Sequence, residues 1–152
     1  MYYHSSCFME ISVIIPTYNE ELSIAKTLEA LSRLVNVSEV IVVDGGSTDE
    51  TRQIVKNYSQ VKNLQLIEMN EANRGKQLHE GTKHAKGDIF WFVHADTRPQ
   101  QGCGRQIKGA MKYTKVVGGN FEVIFAGETR AAKFMTWLYP NLRSWGLTYG
   151  DS

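Results

Sequence analysis

Four short apolar runs constrain this fold more than any other feature. They are "ISVII" (Ile11 to Ile15), "EVIVVD" (Glu39 to Asp44), "LQLIE" (Leu64 to Glu68) and "DIFWFV" (Asp88 to Val93). None shows the in-out alternation of a strand with one face in water, and helical patterns separate them. Continuous apolar strands alternating with helices bury both faces of a sheet, so the sequence predicts an α/β fold. The expected architecture is a mainly parallel sheet with helices on both faces.

The intervening segments carry their own signals. After the first strand, closed by Pro16, Asn19 is placed to cap a helix along which Leu22, Ala25, Leu28, Leu31 and Leu34 recur at helical spacing. Ser47-Thr48-Asp49-Glu50 has the form of a capping box opening a second helix. A third helix is expected from about Asn73 to Lys86-Gly87, and a fourth around Gln106 to Tyr113. "GGNFEVIF" (Gly118 to Phe125) alternates better and reads as an antiparallel strand. The segment after it reads as helical up to Pro140. With 152 residues there is room for one sizeable core. Residues 11–152 are read as a single domain, and residues 1–10 as a leader outside it.

Composition excludes several function classes. The 17 basic and 16 acidic residues leave a net charge of +1, with neither sign in blocks, so nothing points to nucleic acid. No apolar run approaches the roughly 20 residues of a membrane-spanning helix. The start "MYYHSSCFM" has neither the basic beginning nor the apolar centre of a signal peptide. Two distant cysteines, Cys7 and Cys103, suit a reducing compartment. A cytoplasmic location follows as the expectation, with attachment to the inner face of a membrane as an alternative. The oligomeric state is left open, a homo-oligomer included.

The polar residues gather at strand ends. In a parallel sheet, ligands bind beyond the carboxyl ends of the strands. Thr17-Tyr18-Asn19-Glu20 follows the first strand, Asp44 closes the second, and His94-Ala95-Asp96 closes the fourth. One aspartate at such a place is more often a turn residue or helix cap. Three clusters at one edge suggest an aromatic face and acceptors along one crevice, suited to a base and ribose with a cation beside them. Arg74 and Lys76 fall in the first turn of a helix, where the dipole disfavours cations. They are either solvated or facing an anion that also meets free backbone amides.

These segments, "SVIIPTYNE", "VIVVDGGSTDET", "NRGK" and "FVHADT", together resemble the ordered signature of family 2 glycosyltransferases, enzymes of the GT-A fold. This sequence is similar to the variant with His-Ala-Asp-Thr in place of Asp-x-Asp. The resemblance implies that Pro16, Thr17, Tyr18 and Glu20 line a base and ribose pocket, with Asp44 bonding the uracil edge. Loss of Asp44 is then expected to cost nucleotide affinity and little of the fold. Gly75 and Lys76 would lie near the ribose or phosphates, Ala95 beside the donor, and Asp96 on a divalent metal, with His94 a second candidate ligand.

The need for that metal has a physical basis of its own. A carboxylate about 4 Å from a phosphate oxygen is repelled by roughly 4 kcal/mol per charge pair at an effective dielectric near 20. Mn2+ or Mg2+, with hard oxygen ligands, is the expected cofactor.

The implied activity is inverting transfer of a sugar from a nucleotide-diphosphate sugar, UDP-linked, to the hydroxyl of an unidentified acceptor. Asp151 of Gly150-Asp151 matches the position of the general base in order. Its other reading is a terminal turn. Complete members extend further, which implies an incomplete acceptor side here.

Two alternatives stand beside this one: a catalytically silent nucleotide-sugar-binding module, and a nucleotidyltransferase. The second fits less well, since the loop after the first strand is acidic and free of glycine. "HEGTKH" is not a zinc site, because histidines five apart do not share a helix face. Gly75-Lys76 lacks the earlier glycine of a P-loop, and no G-x-G-x-x-G follows a strand. Phe134, Trp137, Leu138 and Trp145, with Arg130, Lys133 and Arg143, suggest core packing or a partner interface, or else a lipid-facing surface.

Overall fold

A computed structural model describes residues 9–121 together with 129–130, 133–134 and 136–138. The chain divides into two compact units, Met1–Tyr113 and Thr114–Ser152. Among the described residues of the first, eight elements follow one another: β1 (Ile11–Thr17), α1 (Ile24–Ser32), β2 (Glu39–Asp44), α2 (Thr51–Asn57), β3 (Leu64–Glu68), α3 (Arg74–His84), β4 (Ile89–Phe92) and α4 (Cys103–Ala110). All pairings are parallel and the strand order is β3-β2-β1-β4. All four carboxyl ends therefore lie on one edge.

Side chains of alternate residues sort the core into two layers. Ile11, Val13, Ile15, Val40 and Val42 pack with Ile24, Leu28 and Leu31 of α1 and Val55 of α2. Ile14, Ile41 and Val43 face the other way, with Leu78 of α3 and Ala85 beyond it. Helices thus cover both faces, as continuous apolar strands require. Each fully buried isoleucine contributes about 1.5–3 kcal/mol relative to an exposed one. Close approach of α3 needs Gly81, where a Cβ would stand 2.4 Å from Ile14 Cγ2.

The chain moves outward from β1 through β2 to β3, with α1 and α2 on one face. It then crosses back over the other face by α3 to place β4 on the far side of β1. Right-handed crossovers require that change of face when the direction reverses. The reversal puts the topological switch point between β1 and β4.

Several expectations are corrected. Pro16 does not close β1; the strand runs through it to Thr17. Even-numbered residues of β1 turn their backbone groups toward β4, as Val93 N donating to Ile14 O at 3.0 Å shows. The β4 ladder ends opposite Ile14, so the missing N–H of Pro16 falls where no partner strand runs among the described residues. Asn19 does not cap α1. It takes a left-handed φ of 54°, and α1 starts later, at Ile24, leaving Leu22 exposed. Ser47-Thr48-Asp49-Glu50 is not a capping box; Asp49 Oδ1 accepts from Thr51 N at 3.0 Å instead.

The run "IFWFV" is also less buried than its composition suggests. β4 is an edge strand among the described residues, with Phe90 46% and Phe92 49% exposed. Residues 118–121 have no regular structure, and the rest of the expected antiparallel strand lies outside the described residues. No helix among the described residues is long and apolar enough to cross a membrane. In the second unit, Phe134 and Trp137 are more than half exposed and their ring centroids lie 6.1 Å apart, which is not core packing. Trp145 and Arg143 lie outside the described residues.

Candidate functional site

The loop after β1 and the loop after β2 are stitched together by reciprocal backbone and side-chain hydrogen bonds. Asn19 N donates to Ser47 Oγ at 2.9 Å, while Asn19 Oδ1 accepts from Thr48 N at 2.9 Å. Glu20 N donates to Thr51 Oγ1 at 2.7 Å. Glu21 N donates to Asp49 Oδ2 at 3.1 Å, and Glu21 Oε2 accepts from Glu50 N at 3.0 Å. The left-handed turn at Asn19 allows this exchange, and it explains why Asn19 is unavailable as a helix cap.

Asp44 is the keystone of the second loop. It is fully buried. Oδ1 accepts from Gly46 N (3.1 Å) and Ser47 N (2.9 Å), and Oδ2 from Ser47 Oγ and from Thr17 Oγ1 (3.3 Å). Arg52 Nε stands 3.6 Å from Oδ1. A carboxylate has about four lone-pair sites, and all are engaged here. The bonding of this carboxylate runs against the expectation that Asp44 loss spares the fold, because the carboxylate holds the β2 turn. A base N–H could reach it only by displacing one of these donors.

Thr17 and Ala95 are buried as well. The Thr17 hydroxyl is within 3.4 Å of Val43 O and 3.3 Å of Asp44, and the Ala95 carbonyl accepts from Thr27 Oγ1 at 2.6 Å. Tyr18 is 49% exposed, Gly75, Lys76 and Asp96 are exposed, and Pro16 and Glu20 are half-buried. Asp151 lies outside the described residues.

The start of α3 ties in the remaining strands. Asn73 caps it, Oδ1 accepting from Lys76 N at 3.0 Å, where the sequence places the start of the helix. Gln77, which no sequence signal singles out, is buried and donates through Nε2 to both Thr17 O and Val43 O at 2.8 Å. It joins β1 and β2 where their ladder ends. Lys76 pairs with Glu71. Arg74 NH2 lies 2.6 Å from His94 Nε2, linking α3 to the end of β4.

The ends of β1 and β4 flank the switch point, where ligands of such sheets bind. Glu20 and Asp96 meet there electrostatically. Burial is the main cause that raises the Glu20 pKa, and the charges of Asp96 and Asp49 raise it further, against Ser23 and His94. Among the described residues, neither a hydrogen bond nor an ion pair reaches the Asp96 carboxylate. No group of three His, Cys, Asp or Glu side chains converges as a self-sufficient metal cage among them either. The donor set still suits Mg2+ or Mn2+, since such ions are commonly held by one or two carboxylates plus substrate phosphates and water. At the opposite edge, a groove of about 330 Å3 includes Glu39. That carboxylate is spent on Ser12 Oγ and Lys86 N, both at 2.6 Å.

Comparison with known proteins follows the same lines. The chain is 40% identical over 93 residues to a poly(ribitol-phosphate) beta-N-acetylglucosaminyltransferase, TarS, of Staphylococcus aureus, covering 58% of this chain and 16% of the relative. The structure of TarS residues 1–349 in complex with UDP-GlcNAc matches with a TM-score of 0.65 at 28% identity, over 80% of this chain and 39% of that one. The mannosyltransferase PcManGT of Pyrobaculum calidifontis, in complex with GDP-Man and Mn2+, matches with a TM-score of 0.57 at 27% identity, over 72% and 33%. The chain thus spans well under half the length of these relatives. The model of the family described as Glycosyl transferase family 2 matches residues 12–149. Nearly the whole chain falls within that match, so it belongs to glycosyl transferase family 2, and its sheet is the Rossmann-like GT-A sheet.

Proposed function

We propose that this chain forms the donor side of an inverting glycosyltransferase that moves a sugar from a UDP-sugar to an acceptor hydroxyl. The observation that carries the reading is the Asp96 carboxylate, exposed and unpaired among the described residues, at the switch point of a family 2 sheet. Similarity to a chain bound to UDP-GlcNAc supports the choice of donor, and similarity to one bound to GDP-Man and Mn2+ supports the cation.

In this reading Tyr18 offers its half-exposed ring to the base. Pro16 and Glu20 border the base and ribose, and Gly75 leaves room beside them. Thr17, Asp44 and Ala95 shape the pocket from below. Asp96 holds Mn2+ or Mg2+, which when bound neutralises the diphosphate and eases its departure. His94 stands beside Asp96 in sequence as the other candidate ligand. The acceptor oxygen attacks the anomeric carbon from the face opposite the leaving UDP, so the configuration inverts in one step. Asp151 is the proposed base that takes the acceptor proton. Membership of the family leaves the nucleotidyltransferase alternative without support.

Calorimetric titration with UDP, with and without Mn2+, tests the site. The expected result is tighter binding with Mn2+ and loss of that increment in Asp96→Asn. An undiminished increment in the variant removes Asp96 from the cation. Release of free sugar from UDP-sugars, or transfer to any acceptor, separates an enzyme from a silent binding module.

A further inference from the structure

α3 turns two buried residues toward the sheet, Gln77 and Gly81. Four apart, they lie on one face of the helix. At Gly81 the helix comes so close to β1 that a Cβ would stand 2.4 Å from Ile14 Cγ2. One turn nearer the carboxyl edge, the same face carries the long polar side chain of Gln77, only 3% exposed. Its amide has two N–H groups, and Nε2 donates to two acceptors, Thr17 O and Val43 O, both at 2.8 Å.

Neither carbonyl needs this donor to be satisfied. Thr17 O also accepts from Gly45 N at 2.9 Å, and Thr17 Oγ1 lies 3.4 Å from Val43 O. What the amide adds is direction, at a place where other support runs out. Thr17 pairs with Asp44 at the last rung of the β1–β2 ladder, while the β4 ladder already ends opposite Ile14. Tyr18 and Gly45 leave the strands immediately beyond. The amide lies so close to that turn that a Cβ on Gly45 would come within 3.1 Å of Nε2. The backbone N–H of Gln77 meanwhile donates to Asn73 O at 2.9 Å, closing the first turn of α3. One residue thus joins the start of α3 to both strand ends.

We propose that Gln77 is a positioning residue for the sugar donor: its amide clamps the end of β1 to the end of β2, and so sets where the half-exposed Tyr18 ring stands for the base. The proposal rests on the reading of the crevice as a nucleotide-sugar pocket. Gln77 is buried and acts through Tyr18, not on the ligand. Methionine, of similar length and without an amide, fills the same space and fixes neither carbonyl.

The clamp itself is tested without any ligand. By NMR, the Gln77 side-chain N–H protons of the wild type are expected to exchange with solvent about tenfold or more slowly than those of exposed Gln65. In Gln77→Met the Gly45 amide is expected to exchange about tenfold faster, while amides in the middle of β2 shift only as far as overall stability does. The melting temperature is expected to fall by only about 2–6 °C, because both carbonyls keep a donor.

The action on the donor is tested by a double-mutant cycle, with UDP affinity measured by calorimetry in Mn2+. Tyr18→Ala is expected to weaken binding about tenfold and Gln77→Met about fivefold. The double variant is expected to stay within about twofold of Tyr18→Ala, because a residue that acts through Tyr18 then has nothing left to position. Effects that multiply, or an unchanged UDP affinity in Gln77→Met, overturn the proposal. So does a Gln77 amide that exchanges as fast as that of Gln65, or a Gln77→Met chain that does not fold. If the wild type binds no UDP, or Tyr18→Ala binds it as tightly, the reading of the pocket fails and this role falls with it. The exchange rates then still show whether the amide holds the two strand ends.

Discussion

β2 and β4 both lead into an aspartate at the same edge of the sheet, and the two carboxylates are in opposite circumstances. Asp44 is fully buried, with four hydrogen-bond donors and Arg52 around it. Asp96 is exposed, and among the described residues its carboxylate has no hydrogen bond or ion pair and repels that of Glu20. Strand order explains the difference. Asp44 stands one strand away from the switch point and is consumed in building the turn that carries Ser47 and the start of α2. Asp96 stands beside the crevice between β1 and β4, where a ligand enters and where an uncompensated charge is useful. One residue type at one sheet edge thus serves the fold in one place and the site in the other.

The sharpest way to break this contrast is to remove each carboxylate and follow urea unfolding. Asp44→Ala strips the acceptor from several buried donors, each worth about 1–3 kcal/mol when left unsatisfied. With partial relaxation, the expected loss is about 3–5 kcal/mol. Asp96→Asn is expected to leave stability within about 0.5 kcal/mol of the wild type, as exposed substitutions usually do. Equal effects would refute the division of labour.

A smaller effect probes how tightly the Asp44 turn is packed. A Cβ on Gly45 would sit 2.8 Å from Ala72 Cα and 3.1 Å from Gln77 Nε2. Because the first of these is backbone, Gly45→Ala is expected to cost about 1–3 kcal/mol by overpacking. An unchanged midpoint would mean that the loop before α3 yields freely.

The smallest effect concerns the outer support of the same turn. Side-chain hydrogen bonds from Lys56 and then Arg52 lower the pKa of Glu68, at the end of β3. A carboxylate whose pKa is lowered by folding stabilises the protein above its unfolded pKa, and that contribution disappears as pH falls through the lowered folded value. Glu68→Gln is therefore expected to flatten slightly the acid limb of a stability–pH curve and to leave the alkaline limb unchanged. Because the group is exposed, a large change would point to a role beyond this ion pair.

The legibility of these features in the sequence was uneven. β2 and β3 begin and end where their apolar runs do, and α3 starts next to Asn73, as its pattern predicts. Strand boundaries are legible because continuous burial leaves a local signature in residue type. Asn19 and Ser47 depart from local capping rules because their side chains find partners 29 and 28 residues away along the chain, across two loops. Gln77 and the Arg74–His94 contact gave no signal, since each joins elements whose adjacency depends on the crossover to β4.

The sequence by itself determined the α/β class, the parallel strands and the set of polar residues brought to their carboxyl ends, because hydrophobic periodicity and chain direction are local properties. Only the tertiary structure decided which of those residues are spent and which are free. That choice depends on strand order and on donors supplied from distant loops, and a carboxylate's role is set by what surrounds it.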